Sequence, residues 1–529
     1  MGMENRSYEL PEDPTQLREI VLSLMGEREK WNSERESLQW KTEHLQEQVK
    51  LLLAKLFGRS SEKNKVQDHP SLFDEAEFEA EVHPEAEDDE PEGVEVTSHT
   101  RSKKGRRPLP DGLPREEVIH DLPEENKVCG LDGHTLQEIG RETSEQLDIV
   151  PAQVKVIRHV RIKYGCPHCR QGVQTAPLPP RLLPKVLATA ATLAWIAASK
   201  YADGLPLYRL ESILGRAGIQ IPRATTAHWM IGCGEGVQPL INLIQDRMLA
   251  YGYIQMDETP VQVLKEPGRP ATSKSYMWVR KGGPLEAPVV LFNYDPSRSG
   301  QVPKDLLEEY KGWLQTDAYK GYLAVGSRPD VHHLGCWAHV RRRFVDAVKA
   351  GGNKAKASYA VKLIGKLYRI EKRLRESKAD ANERLKVRQQ EVPPVLAKLR
   401  DWMSDLVPKV VPSSTLGKAL GYLHDEWPRL IRYTEDGRLE IDNNGAENAI
   451  RPFVVGRKNW LFSNSVRGVK SSANLYGLIE TAKANGLEPY AYLRHVFEQI
   501  PFAQTAGDFD ALLPWNLNPD MTIKVEEPA

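Results

Sequence analysis

The stretch YIQMDETPVQVL, residues 253–264, reads as a β-strand, with an apolar run closing on a carboxylate, Asp257. Working outward, SYMWVRKG (275–282) and APVVLFNYD (287–295) continue the β pattern, and VPKDLLEEYK (302–311) turns helical. GWLQTDAY (312–319) then returns to strand, before VHHLGCWAHVRRRF (331–344) leads into a helix. In that order Asp257 lies on the first strand and Asp317 at the end of the fourth, where the two strands are expected side by side. A third acid, Glu447, stands in IDNNGAENAIRPFVVGRKNWLF (441–462), just ahead of Arg, Lys, Asn and aromatic residues. Three carboxylates at strand or helix ends beside a basic surface suit a divalent cation acting on a phosphodiester, because Mg²⁺ takes hard oxygen ligands and needs only a few from the protein. Glu258 competes with Asp257 for the first position, and Asp442 with Glu447 for the third. A Glu entering a helix suits the ligand role, whereas Asp442, ahead of Asn443, Asn444 and Gly445, has the character of a turn or cap residue.

A three-strand meander followed by helix and strand opens a ribonuclease H-like α/β catalytic domain, expected over 251–485. From about 345 to 440 the sequence is helical and charged, which reads as an insertion that delays the third acid; 486–529 is a C-terminal tail. The whole is a multidomain α/β chain, since 529 residues exceed one domain.

Upstream, Leu17, Leu24, Trp31, Leu38, Leu45 and Leu52 recur every seven residues, the d row of a coiled coil over 15–58 and a sign of a homo-oligomer, at least a dimer. A linker, 59–117, is first acidic and then basic. Between Gln67 and Ser98 it holds 13 Asp and Glu and no Lys or Arg, against 73 acidic and 72 basic residues in the chain, so the remainder is net basic and compatible with a polyanionic partner. RSKKGRRPLP (101–110) is a basic arm suited to phosphates. Five cysteines build no disulfide framework, no leader pattern opens the chain, and the longest apolar run, Val186–Ser199, is too short to span a bilayer; the expectation is a cytoplasmic protein with no membrane contact.

Residues 118–175 read as a small β unit, with SEQLDIVPAQVKVIRHVRIKYGC alternating as a half-buried strand pair would. Such a unit struggles to build a core, and structural Zn²⁺ held by Cys129, His134, Cys166 and Cys169 would staple it; Asp132, His120 or His168 are alternatives to His134. Residues 182–250 read as helical. Within them Leu207–Met230 has the layout of a helix-turn-helix, with Gly218 in the turn and Arg223, Thr225, Thr226 and His228 near the start of the second helix, as DNA contacts require. Arg451, Arg457, Lys458 and Trp460 are further candidates for DNA, Trp460 by stacking on an unpaired base. Cys336 and His339, spaced CWAH, are either a metal pair or buried packing.

These motifs together resemble the bacterial insertion sequence sixty-six transposases, of the DDE class. The resemblance runs through FGRSSEK, GRRPLP, the CPHC region, SKYADGLPLYR, MDETPVQV, TDAYKGY, GCWAHVRRRF, DNNGAENAIRPFVVGRKNWLFSNS and the tail YLRHVFEQIPFAQTAGDFDALLPWNLNP. It implies that Asp257, Asp317 and Glu447 are a catalytic triad binding two Mg²⁺ (or Mn²⁺) ions about 4 Å apart. It further implies cleavage at the ends of an insertion sequence and strand transfer into target DNA, with small accessory proteins encoded beside the transposase. The chain departs from the family pattern in the zinc region, where one expected cysteine is missing. The runner-up reading is a catalytically inactive DNA-binding regulator from a decayed element.

Overall fold

The computed structural model describes residues 13–57, 154–164, 174–351 and 354–518. These fall into two compact units, residues 154–176 in one and the remainder in the other. In the small unit β1 (Lys163–Tyr164) pairs antiparallel with β2 (Gln174–Thr175), and Arg161 donates to the Ala176 carbonyl at 2.6 Å. Among the described residues the pairing is a two-residue ladder, and residues 144–153 of the expected strand pair lie outside them. Val154, Val156, Ile157, Val160 and Ile162 are all exposed. Cys129, His134, Cys166 and Cys169 lie outside the described residues, as does the linker at 59–117.

In the large unit α1 (Pro14–Phe57) is a continuous helix, and the heptad residues Leu24, Trp31, Leu38 and Leu45 lie exposed along it, Trp31 at 71%. Further on, α2 (Ala190–Tyr201) starts on a Thr189 cap whose side chain accepts from the Thr192 N–H. Next come α3 (Leu207–Arg216), a turn in which Gly218 sits at φ 78°, and α4 (Arg223–Gly236), the helix-turn-helix expected from the sequence. α5 (Gln238–Tyr251) ends on Gly252 in the left-handed region and delivers the chain into the sheet.

The sheet contains β3 (Tyr253–Lys265), β4 (Lys274–Gly282), β5 (Val289–Asp295), β6 (Gly312–Gln315) and β7 (Val331–Leu334), with α6 (Gln301–Leu306) between β5 and β6. Their spatial order is β5-β4-β3-β6-β7. The first three strands are an antiparallel meander, while β6 joins the other side of β3 in parallel and β7 joins β6 in parallel. On that side β3 is paired only as far as Gln255, opposite Gln315, and again from Val263, where the short β8 (Ser463–Ser465) begins. Asp257 and Glu258 emerge in the gap between the two partners, and Pro260, which has no N–H for a ladder, is tolerated there.

After β7 come four long helices, α7 (Trp337–Ala350), α8 (Lys354–Glu376), α9 (Ala381–Leu406) and α10 (Thr415–Leu430), which form the insertion. They close on a core of their own around Phe344, Leu367, Leu399 and Leu423, separate from the core shared by the sheet, α2–α5 and the C-terminal helices. Arg388, fully buried, binds Glu371 in bidentate fashion at 2.6 and 2.8 Å and donates to the carbonyls of Tyr433, Asp436 and Leu439. It therefore staples two insertion helices to the segment that returns to the sheet. That segment leads into α11 (Asn444–Trp460), followed by α12 (Val466–Ala484) and α13 (Pro489–Gln499). No helix among the described residues is long and apolar enough to cross a membrane.

Candidate active site

Gln255 and Gln315 are matched across the parallel β3–β6 pair. Asp257 and Asp317 each lie two residues further on, so the sheet's own period of two carries both carboxylates past the last paired rung on one face. The Glu258 N–H donates to Asp257 Oδ1 at 2.8 Å, and the Tyr319 N–H to Asp317 Oδ1 at 2.9 Å, which fixes both acids through local backbone. Glu447 approaches from the first turn of α11 and is 6% exposed. Burial first, then the charges of Glu258, Glu447 and Asp317, hold the Asp257 carboxyl well above the ordinary carboxylate range. Like charges of this kind are found where a cation or a proton is meant to sit. Asp257, Asp317 and Glu447 act on one another by charge alone here, since among the described residues they do not form a group whose donor oxygens all lie within 4.8 Å of one another.

The two alternative acids are committed elsewhere. Arg298 grips Glu258 at 2.5 and 2.8 Å, and the Tyr322 hydroxyl donates to its other oxygen. The Arg298 guanidinium also lies 3.9 Å from the centre of the Tyr319 ring, so one residue braces the segments following both candidate acids. Asp442 accepts from the Tyr368 hydroxyl at 2.8 Å and from the Asn444 N–H and amide at 3.1 Å. It caps the turn into α11 and ties that turn to α8 of the insertion.

A buried amide network escaped the sequence reading. The Gln255 amide donates to Gln315 Oε1 and to the Asp442 carbonyl, both at 2.9 Å; the Gln315 amide donates to the Glu440 carbonyl at 2.9 Å and to that of Gly335 at 3.2 Å. Asn443 adds a 2.9 Å bond to the Met256 carbonyl. The glutamines thus fasten the loop before Glu447 to the two strands that carry the other acids. Gly445 belongs to the same joint, since a Cβ there would collide with Gln255 Oε1. The signal was present as a repeat, QMD at 255–257 and QTD at 315–317. A second feature is the convergence of Cys336, His339 and Glu447, whose donor atoms all lie within 4.8 Å of one another.

The expected DNA contacts divide. Arg223 and His228 are exposed on α4, Thr225 is half-buried, and Lys458 is exposed on α11. Thr226 is a correction: it is fully buried, and its hydroxyl donates back to the Arg223 carbonyl at 3.0 Å, because position 226 falls on the core face of the helix. Arg457 is committed to Thr259 Oγ1 and the Pro260 carbonyl, holding α11 to β3. Trp460 is half-buried in an edge-to-face contact with Phe453, ring centres 5.5 Å apart, with the Lys200 ammonium 5.4 Å from its ring. Arg451 is half-buried.

Comparison with known proteins agrees across the chain. Residues 185–471 match the profile described as Transposase IS66 family, and 477–515 the IS66 C-terminal element. Residues 126–170 match the zinc-finger binding domain of transposase IS66, and 44–118 the Transposase C of IS166 homeodomain. Uncharacterized protein y4jD of Sinorhizobium fredii (strain NBRC 101917 / NGR234) is 34% identical over 454 residues, 82% of this chain and 87% of that one. Uncharacterized protein y4qI of the same strain is 33% identical over 444 residues, 80% of this chain and 81% of that one. No solved structure matches the chain. With a family profile covering more than half its length and relatives alike along most of the rest, the chain belongs to the IS66 family of transposases.

Proposed function

We propose that this transposase cuts DNA at the ends of its insertion sequence and joins them to a target by phosphoryl transfer, using Asp257, Asp317 and Glu447 on a ribonuclease H-like sheet. The strand order β5-β4-β3-β6-β7, antiparallel then parallel, supports the fold reading. The observation that carries the function is the raised Asp257 carboxyl, held up by burial first and then by the charges of Glu258, Glu447 and Asp317. The residues fit a hard divalent cation in kind, since all three offer carboxylate oxygen. Asp257, Asp317 and Glu447 would hold Mg²⁺ or Mn²⁺, which when bound supplies activation of the attacking oxygen and stabilisation of the leaving one.

The protein's own groups orient that chemistry. Backbone N–H groups fix Asp257 and Asp317, Arg298 and Tyr322 hold Glu258 out of the cluster, and the glutamine network sets the height of α11 above the strands. Arg223, Thr225 and His228 on α4, with Arg451 and Lys458 on α11, are the contacts we assign to DNA. Zinc in the finger region, held by Cys129, His134, Cys166 and Cys169, is the corresponding structural assignment; replacing Cys166 and Cys169 by Ser should release it, and an unchanged zinc content in elemental analysis would refute the ligand set.

Cleavage and strand transfer on DNA carrying the element's ends, with Mg²⁺ or Mn²⁺ and accessory proteins supplied, test the reading. Wild type should give metal-dependent products and Glu447→Gln none. Products surviving that substitution would remove Glu447 from the triad, and end-binding without product in the wild type would overturn the catalytic reading. The exposed Leu24, Trp31, Leu38 and Leu45 of α1 support a dimer, which joining two ends requires. Leu38→Pro should halve the mass seen in light scattering, and an unchanged mass would rule out α1 as the dimer seam.

A further inference from the structure

We propose that Cys336, His339 and Glu447 form a second metal site, for a thiophilic divalent cation such as Zn²⁺, and that its occupation withdraws Glu447 from the acid cluster. The binding stands on its own geometry; only the withdrawal rests on the function proposed above.

Cys336 caps the N-terminus of α7, and His339 follows three residues later, so both side chains rise on one face of its first turn. Glu447 meets them from the first turn of α11. The three donor atoms lie within 4.8 Å of one another, and His339 Nδ1 is 3.6 Å from Glu447 Oε1, beyond hydrogen-bond reach. Those two atoms are both buried, and neither has a hydrogen-bond partner, although the Glu447 side chain is only 8% exposed. Buried orphans that face each other are costly unless something sits between them. Their neighbour Cys336 Sγ accepts the Asn443 N–H at 3.3 Å, the kind of outer-shell bond that orients a metal-bound sulfur.

The donor set decides the cation. Mg²⁺ prefers oxygen throughout, whereas sulfur, imidazole nitrogen and one carboxylate oxygen, with a fourth position open, are the ligands of zinc. Tetrahedral zinc with bonds of about 2.0–2.3 Å sets nitrogen and oxygen roughly 3.3 Å apart and sulfur roughly 3.5 Å from either, so the His339–Glu447 pair must close by about 0.3 Å and the sulfur by about 1.3 Å at most. Binding exchanges the thiol proton for the metal: the S–H bond breaks, the S–Zn bond forms and one H⁺ goes to solvent. The other Glu447 oxygen faces Arg342 at 3.8 Å, which keeps the carboxylate turned toward α7.

Co²⁺ is the probe, added to metal-free full-length chain in which Cys129, Cys166 and Cys169 are Ser, so that the finger is silent. A sulfur-to-cobalt charge-transfer band that saturates at one equivalent, is displaced by Zn²⁺ but not by excess Mg²⁺, is absent in the added Cys336→Ser variant and persists in Cys233→Ser is the expected result. No band, or a band that survives Cys336→Ser, overturns the site. If the triple variant does not fold, zinc content after dialysis serves instead: the otherwise native chain should lose one equivalent on Cys336→Ser and one on His339→Ala, and unchanged content in both overturns the proposal. Strand transfer by the native chain should then fall at zinc concentrations that fill this site. A chain that bound Co²⁺ at Cys336 yet made no product with Mg²⁺ would sink the catalytic reading alone.

Discussion

The sheet and the helix that follows the insertion hold their acids by different means. Asp257 and Asp317 are placed by backbone register: once Gln255 pairs with Gln315, both carboxylates follow at the same height and on the same face. Glu447 arrives only after four helices with a core of their own, and its loop is pinned to the strands by a few side chains, Gln255, Gln315, Asn443 and Tyr368. Register is a collective property that no single side chain controls. A pinned loop is a set of separate bonds, each of which one substitution removes. The third acid is therefore the place where distant changes in sequence should reach the chemistry.

The largest effect expected on that contrast is at Arg388. Its charge is fully buried with Glu371, and Arg388→Ala leaves that carboxylate with Arg384, 3.6 Å away, at a cost toward the lower end of about 3–5 kcal/mol. Chemical denaturation should show the loss, and strand transfer should fall while the β3–β6 register, read by amide exchange of the strands, persists. Replacing both partners with apolar residues of similar size should cost much less than the single change. Equal losses in the single and double variants would mean that the pair is no staple.

Next are the two glutamines. Removal of an outer-shell partner typically costs 10–100-fold in metal affinity or activity, and Gln255→Leu or Gln315→Leu should fall in that range, about 1.4–2.7 kcal/mol. A positioning role predicts a raised Mn²⁺ requirement with element-end binding unchanged, and Gln255→Glu should fail to rescue because a carboxylate cannot donate to the Asp442 carbonyl. If activity and metal requirement both stay at the wild-type level, register alone suffices and the contrast drawn here collapses.

How much could be read from the sequence follows the same division. Strand patterning located β3, β4, β5 and β6, because period-two burial is a local property, and the ribonuclease H-like strand order put Asp257 beside Asp317. The helix-turn-helix was legible from Gly218 and Pro222, and the insertion from its charged helical texture. What stayed hidden depends on contacts distant in sequence. Thr226 looked like a recognition residue until the helix phase turned it inward, and Trp460 proves half-buried beside Phe453 and Lys200. The doubling of QMD and QTD has meaning only once the two strands are paired, and the meeting of Cys336 and His339 with Glu447 only once the insertion has folded back.

The smallest effect expected is also the one that separates a metal site from an ordinary buried acid. Asp257 has its carboxyl held above the ordinary range by burial and by Glu258, Glu447 and Asp317. A carboxyl raised in this way stabilises the fold while it stays protonated, and that contribution is lost as pH rises from the usual carboxylate range through the raised value. Above that window the metal-free protein carries an unfavourable charge. Asp257→Asn removes it, so the metal-free variant should be more stable than wild type by on the order of 1 kcal/mol, with the gap widening as pH rises. Mg²⁺ should raise the unfolding temperature of the wild type and shift the variant far less, since a ligand stabilises only the state that binds it. Thermal unfolding with and without chelator reads both quantities. An Asn variant less stable than wild type, or equally stabilised by Mg²⁺, would mean that Asp257 is held by its own hydrogen bonds as a structural residue, and the register that aligns it with Asp317 would then serve the sheet alone.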